Sequence, residues 1–274
     1  MAAVLVGAFG SLVGSFLNVV IFRVPAGKSI VSPPSACPSC GARIRAYDNI
    51  PVISWLILRG KCRDCRAGIS VRYPLVELGT ALFFGLVTVR FWPVGLATGA
   101  AASAHDVAAA LVLIGFLYLA AVSVALGLID IDTRTLPNRI VLPSFVVGIA
   151  VLGAAAVVDS DYGALIRAVI GAAVLSLAYA IMAFAYPGGM GFGDVKLAGV
   201  LGLFLGYLGW SQLIVGAFGA FLLGGVFSLG LLALRKANRK SGIPFGPWML
   251  GGAWIGALGG APIMGGYLAL FGLA

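Results

Sequence analysis

Charge is what this chain has least of. Only 10% of its 274 residues are charged, and nine are acidic, against 61% hydrophobic residues and a mean hydropathy of +1.08. This scarcity excludes an ordinary soluble domain, in which about a quarter of residues are charged. There is one histidine, His105, near a span end, where it reads as neither ligand nor catalyst. Serine and proline are sparse around the 40 glycines, which alternate instead with Leu, Val, Ala and Phe. That excludes disorder and fits helices packed closely in lipid, where small residues let backbones approach.

What is present is long apolar runs. They fall at approximately Ala2–Phe22, Leu75–Val89, Val107–Ile129, Ile140–Val158, Ala164–Ala185, Leu197–Leu208, Leu213–Leu234 and Pro247–Phe271. The pattern predicts an all-α integral membrane protein with about eight transmembrane helices. The second and sixth runs are short for a hydrocarbon layer of ~30 Å, so flanking residues complete them or they sink beside other helices. The first run is too long, and lacks the small-residue pattern, for a removable signal peptide.

The net charge of +9 could suggest nucleic acid, but in a membrane protein topology and anionic lipid explain basic excess first. Nine Lys and Arg residues fall between Arg23 and Tyr73. Arg134, Arg139, Lys196, Arg235, Lys236, Arg239 and Lys240 join them on the same side, leaving only Arg90 and Arg167 opposite. The positive-inside rule then places that face in the cytoplasm and both termini outside.

All four cysteines lie in the long hydrophilic loop between the first two spans: Cys37-Pro-Ser-Cys40 and Cys62-Arg-Asp-Cys65. Two such pairs suit tetrahedral zinc in a closed, structural site. Cytoplasmic placement disfavours disulfides, and four unligated thiols are the alternative.

Most carboxylates have plain explanations. Asp106, Asp159 and Asp161 flank spans on the outside, while Asp48 and Asp64 sit among the loop's cations. Glu77, Asp130, Asp132 and Asp194 remain, all near cytoplasmic span ends. Carboxylates at a membrane edge are costly and are functional candidates by default. Asp130 ends an apolar run, and Asp194 follows the glycine-rich stretch 187–193. Two carboxyls held together cannot both ionise, so one keeps its proton while the other activates water. Such a pair suits peptide hydrolysis, and the bare glycine backbone lets an extended peptide approach. The alternative is that Asp130 and Asp194 cap helices or pair with Arg134 and Lys196.

Several segments together resemble the bacterial type IV prepilin peptidases of the Gly-x-Gly-Asp aspartyl class. They are Gly14–Pro25, Asn49–Trp55, Gly60–Cys65, Arg72–Glu77, Ile129–Asp132 with Leu136 and Pro137, Gly191–Leu197 and Ile243–Pro247. Their order spans nearly the whole chain. The resemblance implies a multi-pass enzyme of the bacterial inner membrane that removes the leader of type IV prepilins or pseudopilins on the cytoplasmic side. It places the catalytic pair at Asp130 and Asp194, with Gly191, Gly193, Lys196, Arg134 and Glu77 in supporting or substrate-binding positions. It also implies N-methylation of the new amino terminus from S-adenosylmethionine, with Gly60 and Lys61 as candidates. The division expected is 1–22 as first helix, 23–74 as the cysteine loop serving methylation, and 75–274 as the peptidase. Asn138 stands where many relatives have an aspartate, which argues against a catalytic role there. An ion-coupled transporter would need charge near the bilayer midplane and repeated halves; neither is evident. A non-enzymatic zinc-bearing scaffold of an export machine would leave the aspartate motifs idle.

Overall fold

The computed structural model describes residues 1–93, 103–186, 190–234 and 243–273. Its regular elements are helices: α1 Ala2–Arg23, α2 Ile53–Ile57, α3 Arg72–Phe91, α4 Ala104–Thr133 and α5 Asn138–Val158. They continue with α6 Tyr162–Ala185, α7 Phe192–Leu208, α8 Trp210–Ala233 and α9 Gly246–Leu270. The described residues hold only two isolated β-bridges, Ala36 with Arg43 and Lys61 with Gly68.

Among the described residues, seven helices are long and apolar enough to cross a membrane. The eighth expected span is α7, at 17 residues. Its shortness has a packing reason: Leu197 to Gly206 are buried without interruption. A helix that is apolar all round belongs inside a bundle, and α7 packs against α5, α6, α8 and α9. The other short run, Leu75–Val89, is completed by its flanks to the 20 residues of α3. Of the basic residues used for orientation, Arg235, Lys236, Arg239 and Lys240 lie outside the described residues.

The chain divides into two compact units, Met1–Trp92 with Leu117–Ala125, and Pro93–Phe116 with Leu126–Ala274. In the first, α1 and α3 pack antiparallel along Gly7, Gly10 and Gly14. A methyl at these positions would meet Ala81, Phe84 and Glu77 in turn. In the second unit the same device recurs twice. Gly171 faces Gly202 and Gly206 across α6 and α7, and Gly216 faces Gly252 and Gly256 across α8 and α9. A single Cβ at Gly252 would run into the Ala220 backbone. The glycines are therefore spent on backbone approach, the packing mode that replaces the hydrophobic effect within lipid.

Three other aspartates at span ends are engaged locally. Asp106 closes a capping box with Ser103 at the start of α4, and Asp161 caps α6 through the Ala164 amide at 2.9 Å. Asp159 pairs with His105 at 3.1 Å.

Candidate active site and metal centre

Asp130 lies in the last turn of α4, which stops at Arg134 in the left-handed conformation (φ 54°). Its side chain is buried, and Oδ2 accepts the Gly246 amide at 3.0 Å. Gly246 is the first residue of α9, so the carboxylate sits at a helix N-terminus, where unpaired amides favour an anion.

Asp194 is built the same way at another helix start. It occupies the third position of α7, and its Oδ2 accepts the Gly191 amide at 3.0 Å. The N-cap position is Gly191, and Asp194 caps α7 from its third residue, so the capping role raised as the alternative is present. Lys196 does not pair with Asp194: its Nζ donates to Asn138 Oδ1 at 3.0 Å, tying α7 to the start of α5. Among the described residues, neither aspartate has a basic partner.

Leu136 joins the two aspartate platforms. A methyl on Gly193 would lie 3.0 Å from Leu136 Cβ, and one on Gly246 would lie 3.4 Å from Leu136 Cδ2. Behind Gly246, Phe245 packs against Phe221 (5.4 Å between ring centres) and Tyr179 (6.2 Å). Tyr179 is 2% exposed. The arrangement is two carboxyls, each held by one backbone N–H, beside an aromatic wall.

The cysteines form the second centre, in the first unit. Their four Sγ atoms lie within 4.8 Å of one another, and Cys37 Sγ is 3.8 Å from Cys65 Sγ. Tetrahedral zinc with Zn–S bonds of ~2.3 Å has S···S edges of about 3.8 Å, so the donor set fits a closed metal site. The thiols are electrically unequal. Amide hydrogen bonds from Cys40 and Ser39 bring Cys37 down to about 6. The Ala67 amide pulls Cys65 down, but hydrogen bonding to Cys40, desolvation and the Cys62 and Cys37 thiols outweigh it, to about 12. Four crowded thiols share their protons this way; a bound dication lets all of them ionise.

Each pair sits in the same knuckle. Cys37 N–H bonds to Ala42 O and Ile44 N–H to Ser35 O; Cys62 N–H bonds to Ala67 O and Ile69 N–H to Gly60 O. The residue after each second cysteine is left-handed, Gly41 (φ 73°) and Arg66 (φ 62°). Cys-x-x-Cys-x-Ala-x-Ile occurs twice, at 37–44 and 62–69, as a local repeat of eight residues. Ion pairs of Arg63 with Asp48 and Arg45 with Asp64 clamp the knuckles together.

Sequence comparison decides the family. Residues 117–229 match the family model described as Type IV leader peptidase family, and residues 8–91 match Bacterial Peptidase A24 N-terminal domain. A protein of Aeromonas salmonicida (strain A449) is 36% identical over 293 residues, covering 97% of this chain and 93% of its own length. One of Pseudomonas aeruginosa is 36% identical over 289 residues, with coverage of 96% and 92%. One of Neisseria gonorrhoeae is 34% identical over 283 residues, with coverage of 93% and 89%. All three are named prepilin leader peptidase/N-methyltransferase.

The chain belongs to the type IV leader peptidase family.

No solved structure matches it. Of the residues singled out in this leader peptidase family member, Asp130, Asp194, Gly191, Gly193 and Lys196 gather in the second unit. Arg134 ends α4 there and is exposed. Gly188, within the glycine stretch, lies outside the described residues. Glu77 is engaged within the first unit, where Oε2 accepts the Val52 amide at 2.7 Å. Gly60 has a steric reason of its own: φ is +67°, and a methyl would lie 2.8 Å from the Trp55 ring. Lys61 is exposed and heads the second knuckle. Sequence reasoning missed Leu136, Gly246 and Tyr179 as site residues. The Leu-Pro and Pro-Phe-Gly-Pro motifs were the available signals for the first two; Tyr179 carries none.

Proposed function

We propose that this chain is a membrane-embedded aspartyl endopeptidase that removes the leader of type IV prepilins or pseudopilins and N-methylates the new amino terminus. The observation that carries the reading is the matched mounting of Asp130 and Asp194, each on one amide at a helix start, beside a shared Leu136. The names of the relatives point to the same pair of activities.

The prepilin's residues ahead of its hydrophobic helix lie extended along the glycine stretch, which offers backbone hydrogen bonds without side-chain obstruction. One aspartate is ionised and the other carries a proton. The ionised one takes a proton from a water held between them, and that water's oxygen attacks the scissile carbonyl. The protonated one donates to the carbonyl oxygen, giving a neutral gem-diol. Proton transfer to the amide nitrogen then lets the C–N bond break. Gly191 and Gly246 orient the carboxyls, while Lys196 and Arg134 hold the helix ends around them.

The division of labour is 1–22 as the first helix, 23–74 for methyl transfer and 75–274 for cleavage. Zinc fits Cys37, Cys40, Cys62 and Cys65 as a structural ion, because four thiolates leave no open position. S-adenosylmethionine supplies the methyl group. Gly60 acts by letting the knuckle close on Trp55, and Glu77 by fixing the loop to α3. An open groove beside the first knuckle, with Arg43, Arg45 and Asn49 in its wall, offers cations to the methyl donor's carboxylate. By the positive-inside rule the cysteine loop and both aspartates face the cytoplasm of a bacterial inner membrane.

The test is cleavage of a prepilin by membranes holding equal amounts of wild type, Asp130→Asn or Asp194→Asn protein. Loss of the shortened product in both variants is expected. Cleavage at the wild-type rate in either would refute the dyad. Methyl transfer is read separately, by transfer of labelled methyl from S-adenosylmethionine to a pre-cleaved pilin.

A further inference from the structure

The segment that joins the two knuckles contains α2, whose residues divide cleanly. Ile53, Leu56 and Ile57 stand at i, i+3 and i+4 on one helical face and are 54%, 61% and 71% exposed. The opposite side faces the module: Ser54 is buried with its hydroxyl donating to Tyr47 O, and the Trp55 indole donates to Ile69 O. Three large aliphatic side chains thus project outward together, and Arg59 and Lys61, both exposed, follow directly.

How α2 is tied down says what meets that face. Just before it, Val52 is in a strained positive-φ γ-turn (φ 62°, ψ −51°), with Ile53 N–H bonded to Pro51 O at 2.6 Å. The Val52 amide donates to Glu77 at 2.7 Å, and Glu77 is buried in α3. The 20 residues of α3 rise about 30 Å, the thickness of the hydrocarbon layer, so its first turn lies at the layer's boundary. Glu77, five residues on from Arg72, lies about 7.5 Å further in. Interfacial helices bury their apolar face about 5–10 Å into this zone. From the same turns of α3, Leu75, Leu78 and Leu82 are exposed along one helical face, the surface a membrane span presents to lipid.

We propose that α2 is an interfacial membrane anchor. Ile53, Leu56 and Ile57 enter the leaflet at the Arg72 end of α3, and Arg59 and Lys61 lie against anionic headgroups. The cysteine module is thereby held on the membrane surface by more than its two covalent links to α1 and α3. Depth, the aliphatic face and the adjoining cations all favour a lipid surface over a protein partner, and the inference stands apart from the peptidase reading.

The experiment uses the full chain, zinc-loaded, in nanodiscs of phosphatidylethanolamine and phosphatidylglycerol. A photoreactive benzophenone amino acid replaces Ile57, an exposed position that tolerates bulk, and adducts are identified by mass spectrometry. Phospholipid adducts are expected. Adducts only with protein, or none while the metal is retained, would overturn the anchor. In parallel, Ile57→Asp is expected to speed amide exchange across 53–58 several-fold, as is replacing phosphatidylglycerol with phosphatidylcholine around the wild type. Exchange unchanged in both would count equally against it.

Discussion

Replacing Gly246 with alanine tests the mounting of Asp130 without touching an ionisable group. The methyl would be placed 2.7 Å from Asp130 Oδ2 and 3.4 Å from Leu136 Cδ2, so the carboxylate or the start of α9 must shift. Either movement breaks the 3.0 Å bond between the Gly246 amide and Asp130. A hydrogen bond to a charged group contributes about 1.5–3 kcal/mol. If that bond positions the carboxylate in the transition state, its loss slows cleavage by about 10- to 150-fold. Gly225→Ala is the matched control, since a methyl there meets nothing within 4 Å. The assay is the initial rate of prepilin cleavage in nanodiscs, at equal protein and with thermal stability measured alongside. A rate for Gly246→Ala equal to that of Gly225→Ala would refute the reasoning, because the structure leaves no room for a methyl beside an undisturbed Asp130.

Four further outcomes are expected. Elemental analysis should find one equivalent of metal in the wild type and none in Cys65→Ser. In the wild type, metal retention should weaken as pH falls, because all four thiols must give up protons to bind it. Val52→Gly should steady the cysteine module by about 1–3 kcal/mol by relieving its positive φ, measured as slower amide exchange over 46–72. Faster exchange would mean the Val52 side chain matters more than its strain. In metal-free protein, the hydrogen bond from Arg63 holds Asp48 below the usual carboxylate range. Its contribution is complete above about pH 4 and disappears as pH falls through the lowered value. Asp48→Asn should abolish that acid dependence in an exchange-monitored titration of the module.

Much of the fold was legible because membrane spans are written in composition. Each of the eight runs became a helix, since lipid leaves the backbone no alternative but internal hydrogen bonds. The aspartates stood out because charge is scarce and costly at a membrane edge. What surrounds them was hidden. Gly246 lies 116 residues from Asp130, and Lys196 looked like a partner for neighbouring Asp194 while bonding to Asn138, 58 residues away. Glu77 read as a site residue from its place near a span end, but its bond is to Val52, 25 residues earlier. The knuckle repeat was readable at eight residues' length, yet only its shared backbone bonds give it meaning.

The sequence by itself determined that this is a multi-span membrane protein with a metal-fitting cysteine loop and two aspartates set apart by chemistry. Hydropathy, residue type and short spacing carry that information, because they act over one helix or one turn. Only the tertiary structure decided that both aspartates rest on helix-start amides, that α7 is a buried central helix, and that Glu77 anchors the loop. Those facts depend on which distant backbone groups meet, and an amide has no residue type by which a sequence can announce it.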